Sequence, residues 1–119
     1  MTEFPSSLPG IDVASGLSRV VGNKKLYLKL LRYMAAESPS TKEQLSAAIK
    51  EDNVNLVREI AHSLKGAAAN LSATDVAVAA ECLEKAAKAG DLSTLRSHLD
   101  VLESALDAFA GVITTLEDL

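Results

Sequence analysis

A single cysteine, no tryptophan and an aromatic content of only 3% in 119 residues leave little material for disulfide staples, cysteine-based metal clusters or an aromatic core. One thiol cannot close an internal bridge, and such sparing cysteine use fits a reducing compartment, so the expected location is the cytoplasm. No stretch approaches the roughly 20 consecutive apolar residues that cross a bilayer. The start, Met1-Thr2-Glu3-Phe4-Pro5, has neither the basic nor the apolar segment of a secretory signal. Direct membrane contact is therefore not expected. Charge of one sign is also scarce: 12 Lys and Arg stand against 16 Asp and Glu, a formal net charge of −4. No segment gathers the dense basic stripe that a phosphate backbone requires, which argues against nucleic acid as a partner.

What is abundant is aliphatic: 48% of the residues are hydrophobic, mostly Ala and Leu. These are strong helix formers, and the chain is long enough to bury one core without covalent staples. An all-α fold follows. Residues 1–11 hold Phe4, Pro5, Pro9 and Gly10 beside two serines, the composition of an extended arm or linker, and 12–119 form the expected domain. Asp12 can cap a first helix to about Val20. Gly22-Asn23 breaks the chain and caps a second, about Lys24 to Glu37, which Pro39 is expected to end. Ser40 or Thr41 opens a third to about Asp52, and Asn53 caps a fourth, about Val54 to Leu71. Ser72 with Asp75 three residues on approximates a capping box for a fifth helix that stops at Gly90, and Asp91 caps the last.

In that last helix Leu92, Leu95, Leu99, Leu102, Leu106, Phe109, Ile113 and Leu116 recur in steps of three and four, the spacing of a bundle seam. The fourth helix repeats it with Val57, Ile60, Leu64, Ala67 and Leu71, and the fifth with Val76, Ala79 or Ala80, Leu83 and Ala86 or Ala87. Short connections make neighbouring helices antiparallel. The expected architecture is an antiparallel up-down four-helix bundle with two additional N-terminal helices.

His62 falls opposite the apolar stripe of its helix and should face water. Gly66 lies one turn further on, in mid-helix, where glycine costs about 1 kcal/mol relative to alanine. A missing side chain there leaves the ring uncovered and lets a partner's surface approach the backbone. A solvent-exposed imidazole is largely uncharged at pH 7, so one ring nitrogen keeps a lone pair able to attack phosphorus. Lys65 at i+3 and Arg58 at i−4 flank it, where both could reach the oxygens of a phosphoryl group on the ring. Nothing beside them makes a self-sufficient active site, and there is no Gly-rich nucleotide loop, so no cofactor is expected and the activated phosphoryl must come from a partner. A lone solvent-facing His on a helix is most often an ordinary surface residue. Spacing alone does not decide between the two readings.

The run Ala61-His62-Ser63-Leu64-Lys65-Gly66-Ala67-Ala68-Ala69-Asn70-Leu71, with Cys82-Leu83-Glu84 further on, resembles the signature of the histidine-containing phosphotransfer (HPt) family, A-H-x-L-K-G with a later L-E. Leu8-Pro9-Gly10-Ile11-Asp12, Gly16-Leu17 and Asn23 through Tyr27-Leu28 are similar to the N-terminal region of HPt domains appended to bacterial hybrid sensor kinases. The resemblance implies that His62 carries the phosphoryl group, that Lys65 assists electrostatically and that Gly66 gives access; Arg58 rests on geometry alone. It also implies a carrier without kinase activity that works between the receiver domains of a hybrid sensor kinase and of a response regulator, with Mg²⁺ held by the receiver. The domain is expected to be monomeric in isolation, and the resemblance allows it to be either a free protein or the cytoplasmic tail of an inner-membrane sensor kinase. The sequence departs from the family at Ser72, where glycine is usual, and at Ala69, where it is frequent. Ser72 should affect only the turn, while the Ala69 methyl could narrow the set of receivers that dock.

The remaining polar residues carry less. His98 reads as a surface or boundary residue, Cys82 as a packed thiol, and Glu81, Glu84, Asp100, Glu103 and Asp107 as a solvated exterior. A helical interaction module, a metal-binding bundle and an HPt-like domain without relay activity are the competing readings. The second requires inward-facing Glu-x-x-His sets that the seams lack, and intact His62, Lys65 and Gly66 argue against the third.

Overall fold

A computed structural model of the chain describes residues 4–116, and among these every regular element is a helix. In chain order they are α1 (Val13–Arg19), α2 (Lys24–Lys50), α3 (Val54–Asn70), α4 (Thr74–Lys88) and α5 (Leu92–Thr114). Helix α2 packs on α3 and α5, α3 on α4, and α4 on α5, so the four long helices close a ring around one core, while α1 leans on α2.

The all-α class is as expected, but there are five helices where six were anticipated. Pro39 does not end a segment; it lies inside the 27-residue α2. Proline lacks the N–H that would bond to the Ala35 carbonyl, a defect of about 3 kcal/mol in an isolated helix. Burial outweighs it here: Leu28, Leu31, Met34 and Ser38 precede the ring, Leu45 and Ala48 follow it, and all are buried on one continuous face while Pro39 itself is exposed. The bundle is therefore preceded by one short helix and not two.

The turns between the long helices share one construction. Each leaves a middle residue in the left-handed region: Asp52 at φ 54°, Ser72 at φ 56° and Gly90 at φ 71°. The amide after each reaches back to close the preceding helix, as Asn53 N to Ala48 O at 2.9 Å, Ala73 N to Ala68 O at 2.8 Å and Asp91 N to Ala86 O at 3.0 Å. These are Schellman closures, normally ended on glycine because it alone enters this region without a Cβ penalty. Asn23 and Asn53 then cap the next helix through their side chains, accepting from Leu26 N at 3.0 Å and Leu56 N at 3.2 Å.

Helix α4 starts differently from expectation. Ser72 does not cap it: its backbone is left-handed and its buried hydroxyl bonds to the Ser15 hydroxyl at 3.0 Å. The arm supplies the acceptor, the Gly10 carbonyl receiving Asp75 N–H at 3.3 Å and the Thr74 hydroxyl at 3.1 Å. Asp12 N–H returns a bond to Ser72 O at 2.8 Å, and Ile11 is buried beside it. Asp91 does precede α5, but its carboxylate takes the Ser93 hydroxyl at 2.7 Å and no backbone amide.

The seam of α5 is as read: Leu95, Leu99, Leu102, Leu106, Phe109, Ile113 and Leu116 are buried, and only Leu92 at the mouth is exposed. Every apolar position proposed for α4 is buried too. On α3 the buried line is Val57, Ala61, Ala68 and Leu71, whereas Ile60 and Leu64 are half-buried and Ala67 is exposed. The packed face is thus turned toward Ala61 and Ala68, and the remaining apolar side lines an open groove of about 670 Å³ between α2 and α3.

One contact fixes the short helix. Tyr27, fully buried, donates its hydroxyl to Leu71 O at 2.6 Å, and a Cβ added to Gly16 would lie 2.1 Å from that hydroxyl. Gly16→Ala should therefore displace Tyr27 and lower stability by about 1–3 kcal/mol, the usual cost of overpacking, read as a fall in the thermal midpoint. An unchanged midpoint would show that α1 shifts freely.

Candidate functional site

Helices α3 and α4 form the most extensive helix pair of the bundle, and both bury small side chains, Ala61 and Ala68 on one and Ala79, Ala80 and Ala87 on the other. Small side chains let two helix backbones come close, and this brings a residue of α4 to the outer face of α3. That residue is Glu84. Its Oε2 lies 2.5 Å from His62 Nδ1 and its Oε1 lies 2.7 Å from Lys65 Nζ, so one carboxylate joins two side chains a helical turn apart. The His62 side chain is 68% exposed, Lys65 32% and Glu84 16%, which places the carboxylate at the base and the imidazole at the top.

The hydrogen bond to Lys65 is the main influence holding Glu84 below the usual carboxylate range; partial burial opposes it, and the bond from His62 reinforces it. Lys65 is correspondingly raised, chiefly by its bond to Glu84. An ionised carboxylate can only accept, so the proton between Glu84 and His62 belongs to Nδ1. The neutral ring then carries its lone pair on Nε2, away from Glu84 and toward solvent.

The other anticipated residues are distributed as follows. Gly66 is exposed on α3, and a Cβ built there would meet nothing within 4 Å. Helix packing therefore does not explain this glycine, and the open space above it adjoins the imidazole. Arg58 is exposed one turn before His62 and forms no ion pair among the described residues. Ala69 is exposed as well. His98 is half-buried on α5, the boundary position expected. Cys82, expected to be packed, is exposed, because the buried face of α4 runs through Val76, Ala79, Ala80, Leu83 and Ala86 and passes it by.

Glu84 is the residue that helical spacing misjudged. On its own helix it sits among Glu81 and Lys85, which form an ordinary surface pair at 3.6 Å, and nothing local separates it from them. The signal was its place in the L-E pair of the resemblance. Among the described residues no group of three or more His, Cys, Asp or Glu gathers as a set of metal ligands, and no helix is long and apolar enough to cross a membrane.

The bundle and its His-Lys-Gly helix define a class. The sequence matches the Hpt domain family over residues 29–111, a span holding the whole of α3 and α4, and the chain belongs to that family. It is thus a histidine phosphotransfer domain, a phosphoryl carrier of phosphorelays and not a kinase, and domains of this family work with receiver domains and response regulators. The fold is similar to that of histidine-containing phosphotransfer protein B (HptB) from Pseudomonas aeruginosa PAO1, with a TM-score of 0.84 and 23% identity over 94% of this chain and 97% of that one. No curated protein matches the sequence.

The sign of the Glu84 shift gives a pH prediction. Because the folded value lies below the ordinary one, the bond's contribution is complete above the usual glutamate pKa of about 4.3 and fades as pH falls through the lowered folded value. Lys65, shifted upward, keeps its charge throughout that range. The stability difference between wild type and Glu84→Gln should persist at neutral pH and shrink as pH falls below the usual glutamate range. Denaturant titrations at several pH values check this, and a difference that vanishes near neutrality would contradict it.

Proposed function

We propose that His62 is the phosphoryl acceptor and that residues 12–119 shuttle the group between a receiver domain of a hybrid sensor kinase and a response regulator, with residues 1–11 as a connecting arm. The carrying observation is the exposed imidazole whose Nδ1 is tied to Glu84, leaving Nε2 free one helical turn from the open space at Gly66. In the forward step the Nε2 lone pair forms the N–P bond. The P–O bond to the donor's aspartate breaks, and its electron pair leaves on the carboxylate. Nδ1 keeps its proton throughout, so no general base is needed on this chain, and a Mg²⁺ held by the receiver would supply charge neutralisation for the phosphoryl group.

Each neighbour has a role in that step. Glu84 holds the ring in one tautomer and one orientation, which removes rotational freedom before reaction. Lys65 and Arg58 supply positive charge to the phosphoryl oxygens, and Gly66 admits the partner. The groove between α2 and α3 gives the receiver a docking surface: Leu56, Ile60 and Ala67 line it, and Glu59 and Ser63 carry its edge to the turn bearing His62. Such an interface is modest and transient. The reading places the domain in the cytoplasm and as a monomer when isolated.

Incubation with a panel of radiolabelled phospho-receiver domains tests the proposal. Wild type should take label and return it to a second receiver, and His62→Gln should take none. Absence of label on wild type across cognate receivers, or retention on His62→Gln, overturns it. In the same assay Gly66→Leu should fold normally yet transfer at least about tenfold more slowly through steric exclusion. Arg58→Ala should shorten the lifetime of the phosphorylated form without lowering helicity. A normal rate for the first or a normal lifetime for the second removes that residue from the site.

A further inference from the structure

Lys65 cannot be counted simply as a free cation waiting for phosphate. Its ammonium sits 2.7 Å from Glu84 Oε1, while the other oxygen of that carboxylate holds His62 Nδ1 at 2.5 Å. The carboxylate therefore does two things that pull in opposite directions. By holding Nδ1–H it presents Nε2 for reaction. By holding Lys65 it withholds the cation that a phosphoryl group on Nε2 would attract, and it sets a fixed negative charge across the ring from an incoming dianion.

We propose that Glu84 sets the equilibrium position of phosphoryl transfer by competing with the phosphoryl group for Lys65, so that loading His62 moves the ammonium from Oε1 to a phosphoryl oxygen. The inference rests on His62 being the acceptor. Both partners lie within reach of the same side chain: Lys65 is at i+3 from His62, one turn along the same face, and its stem is flexible with three donors at its tip. The other charges nearby do not substitute for it. Glu81 adds negative potential at Lys65 and is itself paired with Lys85, and Arg58 stands one turn to the far side of His62. The resting pair weakens the carrier's hold on its cargo, and a carrier must release as readily as it accepts. Exchange between the two anions is a side-chain rotation, with no change in the bundle.

The test needs no protein partner. Phosphoramidate donates its phosphoryl to imidazole with release of ammonia, one P–N bond breaking as another forms, so the ratio of phospho-His62 to free His62 at fixed phosphoramidate and ammonium concentrations reports the equilibrium. It is read by ³¹P NMR from both directions, with helicity of each variant checked by circular dichroism. Glu84→Gln keeps an oxygen to accept Nδ1–H but has no charge to hold Lys65, and should raise the ratio about fivefold. Lys65→Ala should lower it by a similar factor. In the Lys65→Ala background the Glu84→Gln effect should shrink to about twofold or less, the mark of coupled residues. If Glu84 only positions the ring, Glu84→Gln changes forward and reverse rates alike and leaves the ratio unmoved, which overturns the inference. An effect of equal size with and without Lys65 also overturns it. Wild type that takes no phosphoryl from phosphoramidate would instead refute His62 as the acceptor, and this inference would fall with that reading.

Discussion

The close approach of α3 to α4 is the constraint from which the site follows. Both helices bury alanines, at 61 and 68 on α3 and at 79 and 80 on α4, where α5 buries larger aliphatics, and small side chains let helices pack nearer than leucines would. Each alanine buries little area, so this interface contributes less hydrophobic stabilisation per residue than the leucine-lined contact with α5. In exchange it lets a side chain of α4 reach over the edge of α3 and hold an imidazole that its own helix presents to water. Wider spacing would leave Glu84 a solvated surface acid and His62 a freely rotating ring.

Local stability and access conflict at one position of α3. A glycine in mid-helix weakens the element that carries the reactive residue, and no packing contact repays it. The length of α3 and its firm closure at both ends, by the Asn53 side chain and by the turn through Ser72, tolerate that loss. The helix ends thus support the absence of a side chain at its centre.

Much of this was legible in the sequence, and what was not has definite causes. Helices α4 and α5 are readable because their apolar residues are buried by neighbours on one side only, so spacing and burial coincide. Helix α3 is harder: its apolar stripe is wider than its packed face, and spacing cannot show that Ala61 and Ala68 are buried while Ile60 and Ala67 border a groove. Pro39 misleads because its local cost is real but is overridden by burial of residues on both sides of it. Ser72 misleads because serine suits a helix start, while its left-handed backbone needs the three-dimensional turn to be recognised; the glycine usual in the family at this position fits that conformation. Glu84 acquires its role only across two helices, which no pattern within α4 can display.

The connection between α1 and α2 has a dynamic consequence. Val21, branched at Cβ and 94% exposed, is held at φ 54°, a conformation that costs a non-glycine residue about 1–3 kcal/mol. The strain sits at the end of α1, a helix of only seven residues whose anchoring bonds lie at its start. Backbone amides in this segment should exchange with solvent through local openings that leave the four-helix ring closed. The phosphoryl-bearing surface, built on α3 and α4, then keeps its geometry while the leading end of the domain loosens and re-forms.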